Sequence, residues 1–237
     1  MANFIPMDLT ATEIKKLVGE YAANLVMPGM KLGLGTGSTV FYLLKELEMR
    51  KKQGLDFSFV PTSRQTADIA AETNMIPIEI NEVEQLDLCI DGADEIDPQG
   101  NLIKGGGGAL LQEKIVAAAS KKLVIIADHQ KLVNRLGKFP LPVEVITFGY
   151  MQVLKKLQAS GLCKSVSIRL KDGKPFITDH QHYILDCNYE TILDYSLLNT
   201  SLHEIPGVVE TGLFIRMASQ AIIGYADGHI KTINFSS

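Results

Sequence analysis

Tryptophan is absent from the 237 residues, and cysteine is scarce, with only Cys89, Cys163 and Cys187. Three is an odd count, and no two of them form a C-x-x-C pair. No disulfide framework is expected, and a reducing compartment is favoured. Long apolar runs are lacking too, none reaching the roughly 18–20 residues of a membrane span. The N-terminus has no charged segment leading into the apolar stretch of a secretion signal. Charge of one sign is missing as well: 23 Lys and Arg stand against 27 Asp and Glu, for a net −4. The basic residues are scattered, so no stripe argues for nucleic acid. What remains is the composition of a soluble globular protein, 46% hydrophobic, expected in the cytoplasm. Its length suits one large domain or two modest ones.

What the sequence does have is concentrated in Lys104–Lys114, K-G-G-G-G-A-L-L-Q-E-K. Consecutive glycines cannot fill a core, and each is entropically costly to order. They do allow bare backbone N–H groups to approach a ligand. Leu111, Ile115 and Ala118 come next at helical spacing, so the glycines are predicted to open a helix whose N-terminus favours an anion. Lys104 stands at the mouth of the loop and Glu113 in the first turns of the helix. A cation, a cradle of donors and a carboxylate together point to proton chemistry on a substrate that forms an oxyanion. A flexible linker before an ordinary helix is the competing reading.

Earlier in the chain, Thr10–Met27 reads as a helix opened by a capping box at Thr10-Ala11-Thr12-Glu13 and stopped by Pro28-Gly29. A strand at Met30–Leu34 then enters Gly35-Thr36-Gly37-Ser38-Thr39, and a helix runs on from Val40. Ser38 occupies the position where a dinucleotide fingerprint needs its third glycine, and there is no Gly-Lys-Ser/Thr as in a P-loop. The hydroxyls of Thr36, Ser38 and Thr39 suit a single phosphate, although a tight turn with a Ser/Thr cap would look the same. Phe57–Val60 and Ile76–Ile80 are predicted strands, with a helix between them running to about Thr73. The apolar stretch Leu86–Ile90 runs into Asp91-Gly92-Ala93-Asp94-Glu95. Carboxylates at the end of a buried strand sit where open α/β sheets bind ligands. Asp91 and Asp94 would suit a hard cation or merely a polar turn. Another buried strand, Lys122–Ala127, ends at Asp128-His129-Gln130-Lys131, where Lys131 could meet a phosphate or carboxylate.

From Phe139 the texture changes. A helix at Tyr150–Ser160 is succeeded by strands at Val166–Leu170 and Pro175–Thr178, joined by a hairpin at Asp172-Gly173. Then come a strand at Tyr183–Cys187, a helix around Ile192–Thr200 and a strand at Val208–Ile215. His180 and His182 are expected on the surface. The tail, Ala221–Tyr225 and His229–Ile233, should form a hairpin returning to the first sheet.

Together, G-T-G-S-T at Gly35–Thr39, D-G-A-D-E at Asp91–Glu95, the Lys104–Lys114 segment and Lys131 with G-K-F-P-L-P-V-E-V at Gly137–Val145 resemble the ribose-5-phosphate isomerase type A family. I-P-G-V-V-x-T-G-L-F at Ile205–Phe214 fits the same pattern. The resemblance covers nearly the whole chain, in order. It implies an α/β fold: a Rossmann-like parallel-sheet domain over 1–137 plus about 212–237, and a smaller α+β domain, ferredoxin- or ACT-like, over about 138–211. The implied activity is interconversion of ribose 5-phosphate and ribulose 5-phosphate without metal or organic cofactor, in a homodimer or homotetramer. Carried over by position, Glu113 matches the general base, and Asp91 and Asp94 match carboxylates that contact sugar hydroxyls and assist ring opening. Lys104 with Gly105, Gly106 and Gly107 matches the group that stabilises the enediolate. Thr36, Gly37, Ser38 and Thr39 match the substrate-binding loop, and Gly92 and Ala93 match further substrate-binding positions. Lys131 and Lys15 match further ligand contacts, Lys15 toward the phosphate. Gly108 stands where the family also uses alanine. A sugar-phosphate-sensing regulator would need a DNA-binding segment, which the sequence lacks. A nicotinamide-dependent oxidoreductase is disfavoured by the missing third glycine.

Overall fold

The computed structural model describes residues 8–235, Asn74 excepted. Helix α1 (Ala11–Ala22) starts at the expected capping box, with Thr10 Oγ1 accepting from the Glu13 amide and Glu13 Oε2 accepting from the Thr10 amide at 2.8 Å. Strand β1 (Lys31–Leu34), helix α2 (Ser38–Lys52), strand β2 (Ser58–Pro61) and helix α3 (Arg64–Glu72) come after it. Next are β3 (Leu88–Asp91), the two-residue strands β4 (Glu95–Ile96) and β5 (Leu102–Ile103), helix α4 (Leu110–Ala118) and β6 (Leu123–Asp128). Beyond these lie β7 (Leu141–Val145), α5 (Tyr150–Ser160), β8 (Ser165–Ile168), β9 (Leu170–Lys171), β10 (Lys174–Pro175) and β11 (Tyr183–Asn188). The chain finishes with α6 (Tyr195–His203), β12 (Val208–Thr211), β13 (Leu213–Phe214), β14 (Gln220–Gly224) and β15 (Ile230–Asn234).

Six strands form the main sheet in the order β15-β14-β6-β3-β1-β2, parallel except for the final hairpin strand β15. The tail therefore rejoins the first sheet, as expected. Both faces are covered, which is why these strands read as nearly continuous apolar runs. On β6, Val124 and Ile126 join the cluster under α1 and α2, while Leu123, Ile125 and Ala127 join the one under α4. Sheet order reverses beside β1, whose neighbours are β2 and β3, and this creates a crevice at the strands' carboxyl ends.

Strands β12-β7-β11-β8 make a second, fully antiparallel sheet, and α5 and α6 come after β7 and β11 in the chain. The chain order β-α-β-β-α-β is the ferredoxin-like arrangement. A separate apolar cluster, including Leu157, Leu185, Leu198 and Leu202, fills it.

Several expectations need correction. Ile76–Ile80 is not a strand: Ile76 is exposed, and among the described residues of this stretch only Ile78 hydrogen-bonds to the sheet, donating its amide to Phe59 O at 2.8 Å. The strand expected over Pro175–Thr178 is confined to Lys174–Pro175, although the turn at Asp172-Gly173, both at positive φ, is as expected. The helix around 192–200 is α6, shifted to begin after Asp194, whose carboxylate caps it by accepting from the Leu197 amide. Val208–Ile215 is not one strand but two in different sheets, broken at Gly212. There the Gly212 amide donates to Pro142 O at 2.7 Å and Gly212 O accepts from the Lys104 amide at 2.9 Å. A Cβ at this position would lie 2.4 Å from Lys104 O, so only glycine lets the backbones meet. His182 is no free surface residue: its Nδ1 lies 3.1 Å from Oε1 of the buried Glu144, which also accepts from Thr178 Oγ1. No helix among the described residues is long and apolar enough to cross a membrane.

Candidate functional site

A cleft of about 200 Å³ opens where β1, β3 and β6 end. Of the residues singled out in the sequence, Lys15, Thr36, Gly37, Ser38, Thr39, Gly92, Ala93, Asp94, Lys104, Gly105, Gly106, Gly107, Glu113 and Lys131 all line it. Segments far apart in the chain are thus brought together. Asp91 is the exception, lying immediately beneath the cleft and 1% exposed.

Asp91 ends β3, and its carboxylate serves as a fastening. Oδ1 accepts from the amides of Thr36 at 3.1 Å and Gly92 at 2.7 Å, so one oxygen joins the β1 and β3 loops. A Cβ on Gly35 would lie 2.1 Å from this oxygen, which explains the first glycine of the Gly35–Thr39 loop. Oδ2 pairs with Lys104 Nζ at 3.0 Å. The same ammonium stands 3.3 Å from Glu113 Oε2 and donates to Gly92 O at 2.6 Å. Its ring contact with Phe214 is at 5.5 Å. Lys104 and Glu113 are 2% and 5% exposed, so water screens this trio little.

Burial depresses the Lys104 ammonium, but the charges of Asp91 and Glu113 outweigh it and raise its pKa above the usual lysine value. The chain therefore holds a fixed positive charge here. For Glu113 burial dominates, and Asp91 adds to it, so the carboxyl is pushed up to about 8 despite the opposing pull of Lys104. A carboxylate tuned this far is the usual preparation of a general base or acid working near neutrality.

Helix α4 presents Glu113 on the face it shares with Leu110, Val116 and Ala117. The residues whose spacing predicts the helix, Leu111, Ile115 and Ala118, lie on its outer side: Ile115 is 48% exposed. The apolar stripe in the sequence misleads because the buried face carries the carboxylate. Asp94 lies at the cleft's edge, and its Oδ2 accepts from the Gly106 amide at 2.7 Å.

At the opposite end, α2 starts at Gly37 with no side-chain cap, and Gly37 and Ser38 are exposed. Its free amides and positive dipole end face the cleft between Lys15 and Lys131, the makings of an anion site. The Thr36 hydroxyl takes a different role from the one expected. It turns into a cluster with Thr62, Ser63 and Thr66 at 2.9, 2.7 and 3.1 Å, away from the role of a free hydroxyl in the cleft. Thr39 is almost fully buried.

Sequence reading misses Gln65, which lines the cleft from α3. It also gives no role to Glu95, whose buried carboxylate accepts from the amides of Gly137 at 2.7 Å and Phe139 at 2.6 Å. Nothing in spacing marks either residue, because both act across long sequence separations.

Comparison with known proteins shows the family. Residues 58–228 match the family described as ribose 5-phosphate isomerase A (phosphoriboisomerase A). A ribose-5-phosphate isomerase A of Bacillus cereus is 54% identical over 216 residues, spanning 91% of this chain and 97% of the relative. Among solved structures, ribose 5-phosphate isomerase from Plasmodium falciparum superposes with a TM-score of 0.90 at 38% identity, covering 95% of this chain and all of that one. A D-ribose-5-phosphate isomerase in complex with phospho-erythronic acid gives a TM-score of 0.90 at 35% identity, over 95% of this chain and all of that one. This chain belongs to the ribose 5-phosphate isomerase A family.

Proposed function

We propose that the cleft interconverts D-ribose 5-phosphate and D-ribulose 5-phosphate through an enediolate, with Glu113 as the base. The observation that carries this reading is the buried Lys104 ammonium set between Asp91 and Glu113 on the cleft wall. The phosphate binds at the α2 N-terminus with Lys15 and Lys131, which directs the carbonyl end toward Glu113. A structural relative in complex with a phosphorylated four-carbon acid supports a ligand of this class. Asp94, open to the cleft, assists ring opening at the sugar hydroxyls. Asp91 works from below by fixing Lys104 and the two loops.

In the open-chain aldose, the Glu113 carboxylate takes the proton on C2, and the C–H electrons form the C1–C2 double bond of the enediolate. Charge that develops on the carbonyl oxygen is met by Lys104 and the glycine-loop amides. The C2 hydroxyl proton then passes to O1 as Glu113 returns its proton to C1 and a carbonyl forms at C2, giving the ketose with the base regenerated. No metal or organic cofactor is needed, since Lys104 supplies the positive charge.

The first test is ribulose 5-phosphate formation from ribose 5-phosphate by the purified chain with EDTA present. Turnover is expected; loss of turnover that a divalent cation restores would assign Asp91 and Asp94 to a metal instead. The pH profile provides a second check. The base must be ionised, so kcat/KM should climb about tenfold per pH unit on the acid side and level off near pH 8. A flat profile between pH 6 and 8 would contradict a base with this pKa.

We also infer a homodimer or homotetramer, because Ile146, Phe148 and Met151 leave apolar side chains exposed at the start of α5. Sedimentation as a 26 kDa particle would overturn this. The three free thiols fit a cytoplasmic setting, which cell fractionation tests. The division into 1–137 plus about 212–237 and about 138–211 is proposed from the two main sheets, and limited proteolysis should cut near its boundaries.

A further inference from the structure

Arg169 is absent from the cleft lining, yet it reaches the glycine loop from the second sheet. It sits between β8 and β9, and its own amide donates to Ile184 O at 2.8 Å. Its Nε donates to Asp186 Oδ2 at 3.0 Å, and Nη2 donates to Asp186 Oδ1. This two-point fork fixes the plane of the guanidinium. The remaining nitrogen, Nη1, donates to Gly105 O at 2.7 Å and to Gly106 O at 3.1 Å.

Those carbonyls determine where the next amides point. In a trans peptide the C=O and the adjoining N–H are antiparallel. Holding Gly105 O therefore aims the Gly106 N–H, which donates to Asp94 Oδ2 at 2.7 Å. Holding Gly106 O likewise turns the Gly107 N–H away from Arg169. No hydrogen bond among the described residues takes up that N–H, and Gly107 lines the cleft. A cation on both carbonyls also polarises these peptides and strengthens their amides as donors.

We propose that Arg169, held by Asp186, is a positioning residue that sets the glycine-loop amides for the enediolate. This rests on the reading of Lys104 and the glycine loop as the charge-stabilising side of the site. It adds the second sheet to the reaction without giving it any contact with substrate.

The test measures kcat, KM and the binding of two ligands in Arg169→Gln. One ligand is a phosphorylated hydroxamate, planar like the enediolate; the other is a sugar-alcohol phosphate, which has the phosphate but no planar centre. Expected is a fall in kcat of about 10- to 100-fold with KM changed by less than about threefold. Hydroxamate affinity should fall by a similar factor while the sugar-alcohol phosphate binds as before. A kcat within about threefold of the parent overturns the proposal, as does equal weakening of both ligands, which would mean general damage. Should Arg169→Gln fail to fold, Asp186→Asn carries the same test, because it releases the fork and keeps the guanidinium. Glu113→Gln separates this inference from the reading beneath it. If that variant stays active, the site reading itself fails; if it is inactive while Arg169→Gln turns over normally, only the role of Arg169 is wrong.

Discussion

The two glycine loops use one structural device for two purposes. Both leave a strand or turn at the cleft and open a helix that lacks a side-chain cap, at Gly37 for α2 and at Ala109 for α4. Helix α2 has no acidic residue in its first turn and is flanked by Lys15 and Lys131, so its positive end stays bare for an anion. Helix α4 places Glu113 in its first turn and buries it against Lys104. The first loop is backed by neutral hydroxyls with the Asp91 carboxylate on the Thr36 amide, the second by Asp94 on an amide and Arg169 on two carbonyls. Glycine content alone therefore does not identify a phosphate site. On the proposed reading, the side chains in the first helical turn, and the depth at which they are buried, decide whether the helix end binds or reacts.

That contrast can be broken most severely at Glu113. Glu113→Gln should lower kcat by about 10³-fold or more while a substrate analogue still binds by calorimetry. Activity near that of the parent would remove the base assignment. Lys104→Ala comes next, with kcat down about 10²–10³-fold in steady-state kinetics. A change confined to KM would make Lys104 a binding group only. At the α2 end the split should reverse. Lys15→Ala and Lys131→Ala should each raise KM about tenfold with kcat nearly unchanged. A selective loss of kcat there would erase the distinction between the loops.

The smallest effect is on stability. Glu113 keeps its proton up to about pH 8 when folded, against about 4.5 in an unfolded chain. The folded state thus binds the extra proton between these values, and stability falls as pH rises through that window. The melting temperature of Glu113→Gln relative to the parent should increase from pH 5 to pH 8.5. A constant difference would show that the carboxyl is not held protonated by its surroundings.

Much of this is legible in the sequence because it is local. The capping box at Thr10, the turn at Asp172-Gly173 and the acidic end of β3 each depend on residues within a few positions. Strand β7 is hidden in the sequence because Pro140 and Pro142 look like a boundary. Pro142 nonetheless lies within β7, paired with Asp186, and its carbonyl accepts from Gly212. Ile76–Ile80 has apolar residues at alternate positions but only one hydrogen bond to a neighbouring strand. Arg169 cannot be found from sequence at all, since its meaning lies in carbonyls more than sixty positions away. The residue types of the cleft are readable, but the direction of each side chain is not: the Thr36 hydroxyl and the buried position of Asp91 emerge only in three dimensions.

The crossing at Gly212 has a mechanical consequence. Its amide is tied to β7 of the antiparallel sheet, and its carbonyl to the backbone of the very residue that carries the buried ammonium. Rotating one sheet against the other would shear these two bonds together and drag Lys104 off Asp91 and Glu113. The position of the buried ammonium is thereby coupled to the placement of the antiparallel sheet.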